Sequence, residues 1–195
     1  LTFGCKGIES IARESGASIF LDLKLHDIPN TVMKSAGVVD HLHPRFLTVH
    51  ASGGAAMISA AVSAVTSTSI TAVTVLTSLS DSDLSDLGYA KPALETAVSM
   101  ARIATASGAT SIVCSPLEIE AIRGVIPQSV EIITPGVRPT DEPGGDDQMR
   151  TMTPAQAMKA GANFLVIGRP ITSRWSEGKA AMAARAAQLV ASIHE

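Results

Sequence analysis

The chain has 195 residues, of which 46% are apolar, 17% charged and 3% aromatic, with a formal net charge of −3. That length is enough for one domain with a full core, and so little charge suits a sheet buried on both faces. Nucleic acid is an unfitting partner, because no basic run offers phosphate contacts and stacking platforms are scarce. No apolar run approaches the roughly 20 residues that would span a bilayer, so no membrane is expected.

In chain order, short apolar or β-branched runs alternate with Ala-rich helical stretches. The runs are 18–24 (SIFLDLK), 46–51 (FLTVHA), 70–78 (ITAVTVLTS), 111–115 (SIVCS), 130–134 (VEIIT) and 164–168 (FLVIG). Helical patterns fill the intervals 8–15, 30–42, 55–65, 93–108, 116–125 and 153–161, and a last one covers 178–194. Strand and helix in strict alternation predict βα units on a parallel sheet. No break in composition divides residues 1–195, so one domain is expected. The fold class is α/β, read as a TIM (β/α)₈ barrel of which this chain carries about six of the eight units. The chain opens at Leu1 in mid-pattern, which places the two absent units on the N-terminal side. The alternative is an open doubly wound sheet, weakened by the lack of a GxGxxG after any strand.

Barrels carry their chemistry at the C-terminal ends of the strands. The polar residues there are Asp22, Lys24 and Asp27; His50 and Ser52; Thr77 and Ser78; Ser115; Gly136 and Arg138; and Gly168 and Arg169. In LDLKLHDIPNTV (21–32) two acids and a lysine fall within six residues beside an apolar strand. Strand residues i and i+2 share a face, so Asp22 and Lys24 point the same way. Flanking carboxylates favour the ammonium form, which suits Lys24 as a general acid rather than a Schiff-base nucleophile. A structural ion pair at the rim is the plainer alternative. Pro29 ends the run, and Asn30 or Thr31 is expected to cap the next helix.

The last strand runs into Gly168 and Arg169, a close-approach glycine followed by a phosphate-matching guanidinium. The strand before it opens into a Gly/Pro/Asp-rich stretch from Pro135 to about Thr151 with no periodicity, expected to form a lid. Gln148 lies near its far end. His41, His43 and His50 suggest a metal at first sight, but HLHP falls at a helix end, where histidine complements the dipole. Asp81, Asp83 and Asp86 read as a capped, solvated helix start, and Met57, Met100 and Met158 as core fillers. Cys5 and Cys114 stand far apart outside any CxxC spacing, which fits a reducing, cytoplasmic setting.

LDLKLHDIPNTV resembles the DxKxxDIPNTV signature of the orotidine 5′-monophosphate decarboxylases in their bacterial form. The likeness continues in order through VHASGG (49–54), VTVLTSL (73–79), TPGVRP (134–139), GDDQMR (145–150) and TPAQAMKAGANFLVIGRPIT (153–172). DxKxxD alone is shared with related sugar-phosphate decarboxylases; DIPNTV, the Gln-bearing lid and IGRPIT are far more specific. The resemblance implies decarboxylation of orotidine 5′-monophosphate to UMP, the last step of pyrimidine synthesis, without metal or organic cofactor. It implies Lys24 as the acid that protonates C6, Asp22 against the scissile carboxylate, and Asp27 reaching into a partner's site with Ile28 and Thr31. It further implies Ser78 on the pyrimidine edge, Gln148 between base and phosphate, and Gly168 with Arg169 on the 5′-phosphate. The expected assembly is a homodimer. The family's first two strands carry a further Asp and Lys, expected upstream of Leu1 because LTFGCKGIES resembles the segment after the second strand. Two other outcomes are a Mg²⁺-dependent sugar-phosphate decarboxylase and an inactive phosphate-binding remnant.

Overall fold

A computed structural model of the chain describes residues 4–138 and 152–193. Six strands lie in one parallel sheet: β1 Phe20–Leu25, β2 Phe46–His50, β3 Ser69–Val73, β4 Ser111–Val113, β5 Glu131–Thr134 and β6 Phe164–Leu165. Their order in space is their order in sequence. A doubly wound sheet needs a reversal of strand order, so that alternative falls.

The sheet curls. Phe46 on β2 and Phe164 on β6 stand four strands apart, about 19 Å in a flat sheet at ~4.8 Å per strand. Their ring centroids are 5.3 Å apart, edge to face. Phe20 of β1 lies 5.8 Å from Phe46. The Arg45 guanidinium sits 5.0 Å from the Phe46 centroid and 4.5 Å from that of Phe164. It also donates to Glu131 Oε1 at 3.0 Å. This cluster gathers where the strands begin and lines a pocket of about 400 Å³ between the two edge strands β1 and β6.

Alternation along each strand divides the chain's interior into two. On β2, Leu47 and Val49 face outward to the helices and are fully buried. There they meet Val32 and Ala36 of α2 (Pro29–Val39) and Met57, Ile58 and Ala61 of α3 (Gly54–Ser63). Ala97, Ala101 and Ala104 of α5 (Ala93–Ala106) extend that layer, their small side chains allowing close approach. Each large aliphatic side chain so buried contributes about 1.5–3 kcal/mol. The inward face is more polar. Thr48, Thr71 and Ser111 are in register across β2, β3 and β4 and fully buried. Thr71 Oγ1 and Ser111 Oγ share a hydrogen bond of 2.6 Å.

The remaining helices are α1 Gly4–Ser15, α4 Asp81–Asp86, α6 Ile119–Arg123, α7 Pro154–Ala160, α8 Arg169–Thr172 and α9 Lys179–Ala191. Asp81 and Asp83 fall at a capped helix start as expected, but Asp86 is the last residue of that helix. Ser80 is the N-cap of α4, and Asp83 accepts from its backbone N–H at 2.8 Å. The expected cap of α2 is not found: Ile28 occupies the N-cap, with Pro29 at the first helical position and no side-chain cap bond. Proline at that site forfeits an amide that has no partner anyway, so the helix starts two residues earlier than an Asn30 cap would place it and three earlier than a Thr31 cap would. β3 also ends sooner than its sequence run, at Val73, because its neighbour β4 has only three residues. Thr74 makes the last tie, its N–H and Oγ1 both donating to Val113 O at 3.0 Å.

Candidate active site

β1 is not a regular strand where its charges lie. Leu21 pairs with Leu47 and Leu25 with Val49, so β1 advances four residues while β2 advances two. Asp22, Leu23 and Lys24 occupy the resulting bulge, a device that re-aims side chains near functional sites. Lys24 adopts φ +50, a left-handed conformation that costs a non-glycine residue about 1–2 kcal/mol. Alternation survives the bulge: Leu21, Leu23 and Leu25 pack toward the core, while Asp22 and Lys24 share the face that lines the cavity, as their i, i+2 spacing predicts.

Lys24 Nζ donates to Asp22 Oδ2 at 2.5 Å. Thr48 Oγ1 donates to the other carboxylate oxygen, Asp22 Oδ1, at 2.9 Å. The Lys24 backbone N–H donates to Thr48 Oγ1 at 2.8 Å. Both charged side chains remain a little under half exposed. They form the charged end of a cavity of about 220 Å³ whose other walls include Val73, Val75, Val113 and Val166. These belong to strand ends or the residues just beyond, so the cavity lies at the rim where barrel chemistry is expected. An ammonium–carboxylate pair against an apolar wall is suited to holding a flat, partly apolar ring that bears an anionic group.

Asp27 does not join the pair. Its Oδ1 accepts from the adjoining Ile28 N–H at 2.7 Å, and it makes no ion pair among the described residues. Asp27, Ile28 and Thr31 are all exposed on the loop and first turn of α2. Ser78 lies exposed in the turn after β3, while its neighbour Thr77 lines the cavity. Gly168 is the N-cap of α8, and nothing lies within 4 Å of the place a Cβ would take. Arg169 begins that helix, exposed, three residues beyond cavity-lining Val166.

Gln148 lies outside the described residues. The chain on either side of its segment meets at the rim: Val137 bridges Met152, and Arg138 N–H donates to Met152 O at 2.9 Å. Pro135, just before, lines the cavity.

His41 stands apart from His50, which pairs with His26 instead. His41 Nδ1 lies 2.6 Å from Val38 O at the end of α2. His50 packs 5.3 Å from the His26 ring, and His26 Nε2 is 3.4 Å from Ser52 Oγ. Burial lowers the His50 pKa from its ordinary 6.5, with the positive charges of His26 and Lys24 adding to the effect and Asp22 opposing it. No group of three or more His, Cys, Asp or Glu side chains is gathered for a metal ion among the described residues. Cys114 is buried and free, its thiol pKa pushed up by burial first and by Glu118 second.

Thr48 is the site residue that sequence reasoning missed. In FLTVHA a threonine reads as an ordinary β-branched strand residue, and nothing in the spacing ties it to Asp22, 26 positions earlier.

Known proteins share this sequence and this fold. A sequence model described as "Orotidine 5'-phosphate decarboxylase / HUMPS family" matches residues 1–184. The orotidine 5′-phosphate decarboxylase of Thermobifida fusca is 48% identical over 189 residues, covering 97% of this chain and 80% of its own length. That of Paramagnetospirillum magneticum is 43% identical over 187 residues, covering 91% and 79%. The crystal structure of orotidine 5′-phosphate decarboxylase from Lactobacillus acidophilus superposes with a TM-score of 0.78 at 36% identity, over 95% of this chain and 81% of that one. An uncharacterized conserved protein from Geobacillus kaustophilus superposes with a TM-score of 0.79 at 30% identity.

Proposed function

This chain belongs to the orotidine 5′-phosphate decarboxylase / HUMPS family, and from that premise we propose that it converts orotidine 5′-monophosphate to UMP and CO₂. The observation that carries the reading is the contact between Lys24 Nζ and Asp22 Oδ2 at the mouth of an apolar cavity. The pyrimidine lies in that cavity with its carboxylate toward Asp22. The C6–carboxylate bond breaks, CO₂ departs, and the electron pair stays on C6. The Lys24 ammonium gives C6 a proton and is left as the amine. A cation already fixed beside C6 stabilises the charge as it develops and needs no reorganisation. Crowding two carboxylates at Asp22 adds ground-state strain.

Gly168 and Arg169 take the 5′-phosphate, Ser78 meets the pyrimidine edge, and Gln148 spans base and phosphate. Open space above Gly168 and the position of Arg169 beside it support the phosphate role. Phosphate held far from the reacting carbon supplies binding energy that is used at the ring.

A second copy completes the site. Asp27 and Thr31, with Ile28, reach the partner's substrate. In support, Ile28 is 66% exposed, an apolar side chain left in solvent beside a carboxylate that serves no ion pair within the described residues. The unpaired Cys114 supports a cytoplasmic setting.

The test is release of CO₂ from carboxyl-labelled orotidine 5′-monophosphate by the purified protein. Binding of UMP without any release would replace this reading with that of a nucleotide-binding protein. Mixing Lys24→Ala and Asp27→Ala proteins tests the shared site. One intact site per heterodimer predicts recovery of about a quarter of the activity, since half the dimers are mixed and each carries one working site.

A further inference from the structure

We infer that Thr48 is a positioning residue, whose hydroxyl sets both the carboxylate of Asp22 and the backbone of Lys24. The inference rests on the reading of Lys24 as the proton donor. Thr48 is fully buried on the inward face of β2, opposite the bulge of β1. A hydroxyl has one proton to give and lone pairs to accept with. The Lys24 N–H donates to Oγ1 at 2.8 Å, and the hydroxyl proton goes on to Asp22 Oδ1 at 2.9 Å. A carboxylate only accepts, so the direction of both bonds is fixed. Lys24 is thereby held at two points. Its main chain is held by Thr48 in the left-handed conformation, and its ammonium is held by Asp22 Oδ2. Asp22 in turn is clamped between Thr48 and Lys24. Asp22 and Lys24 are a little under half exposed, and an ion pair so placed does not fix its own geometry well. The buried hydroxyl beneath it does, because its rotamer is locked by packing and its two bonds are mutually dependent.

Two substitutions isolate the hydroxyl. Thr48→Val keeps the branched shape and removes the donor; Thr48→Ser keeps the donor and removes a methyl group. The expected result is that Thr48→Val lowers kcat about 10- to 100-fold while the affinity for UMP changes less than about threefold. Thr48→Ser stays within about threefold of the unsubstituted protein in both. A second arm needs no turnover: the side-chain ¹⁵N resonance of Lys24 is followed by NMR, assigned by its loss in Lys24→Ala. It moves to the position of a free, solvent-exposed lysine in Thr48→Val and stays in place in Thr48→Ser. Should the protein prove not to decarboxylate, the NMR arm still decides whether Thr48 sets Lys24. The positioning role is overturned by a Lys24 resonance unmoved in Thr48→Val. It is equally overturned by a Thr48→Val protein that loses thermal stability while its folded fraction keeps normal kcat, or by failure of Thr48→Ser to rescue.

Discussion

Phe46 and Phe164 touch edge to face at 5.3 Å across the barrel interior, although four strands separate them in the sheet. This contact, with Arg45 over both rings, ties β2 to β6 inside the curled sheet. Phe46→Ala should cost about 3 kcal/mol, the usual loss for a buried phenylalanine. That is a fall in melting temperature of roughly 6–12 °C for a chain of this size. A double-mutant cycle with Phe164→Ala should give a coupling of about 1 kcal/mol by denaturant unfolding. Additive effects would mean that the rings do not meet.

Lys24→Ala should reduce kcat for orotidine 5′-monophosphate by at least about 10³-fold, since it removes both the proton and the fixed charge. UMP should still bind within about tenfold, because the phosphate contacts proposed for Gly168 and Arg169 lie elsewhere. Calorimetry alongside the CO₂ assay separates the two. Near-normal kcat would exclude Lys24 as the acid.

Arg169→Ala should act on the other end of the substrate. The expected loss is about 1.5–3 kcal/mol, the worth of a charge-assisted bond, seen mainly as a 10- to 100-fold rise in KM. Uridine, which lacks the phosphate, should bind the variant and the unsubstituted protein equally. A variant that loses affinity for uridine as well would place Arg169 outside the phosphate site.

Chelation distinguishes two chemistries. Decarboxylation that proceeds through Lys24 alone should survive dialysis against EDTA without loss. An activity lost on chelation and restored by Mg²⁺ would favour the sugar-phosphate branch of chemistry instead.

The His50 pair sets a pH dependence. Its folded pKa is lowered by burial and by the neighbouring charges of His26 and Lys24. The unfolded chain therefore binds a proton more readily than the folded one as pH falls through 6.5. Stability associated with His50 is complete above that value and is lost on acidification toward the folded pKa. Thermal melts between pH 7.5 and 5 should show a shallower decline for His50→Gln. An unchanged slope would mean that His50 titrates normally in the fold.

Much of this molecule was determined by residue order alone. Alternating strands and helices set the α/β class and a parallel sheet, because a buried strand and an amphipathic helix leave different periodicities in the chain. The family signature DIPNTV and the capped start of α4 were legible because each is local, a few adjacent residues in fixed order. The tertiary structure decided what depends on distance in space. The curl rather than an open sheet rests on side chains of β2 and β6, over a hundred residues apart, meeting inside. The bulge that carries Asp22 and Lys24, and the left-handed turn of Lys24 within it, appear only in the register of β1 against β2. Thr48 became visible for the same reason: a hydroxyl acquires its meaning from what lies within 3 Å of it, and sequence spacing carries no such distance.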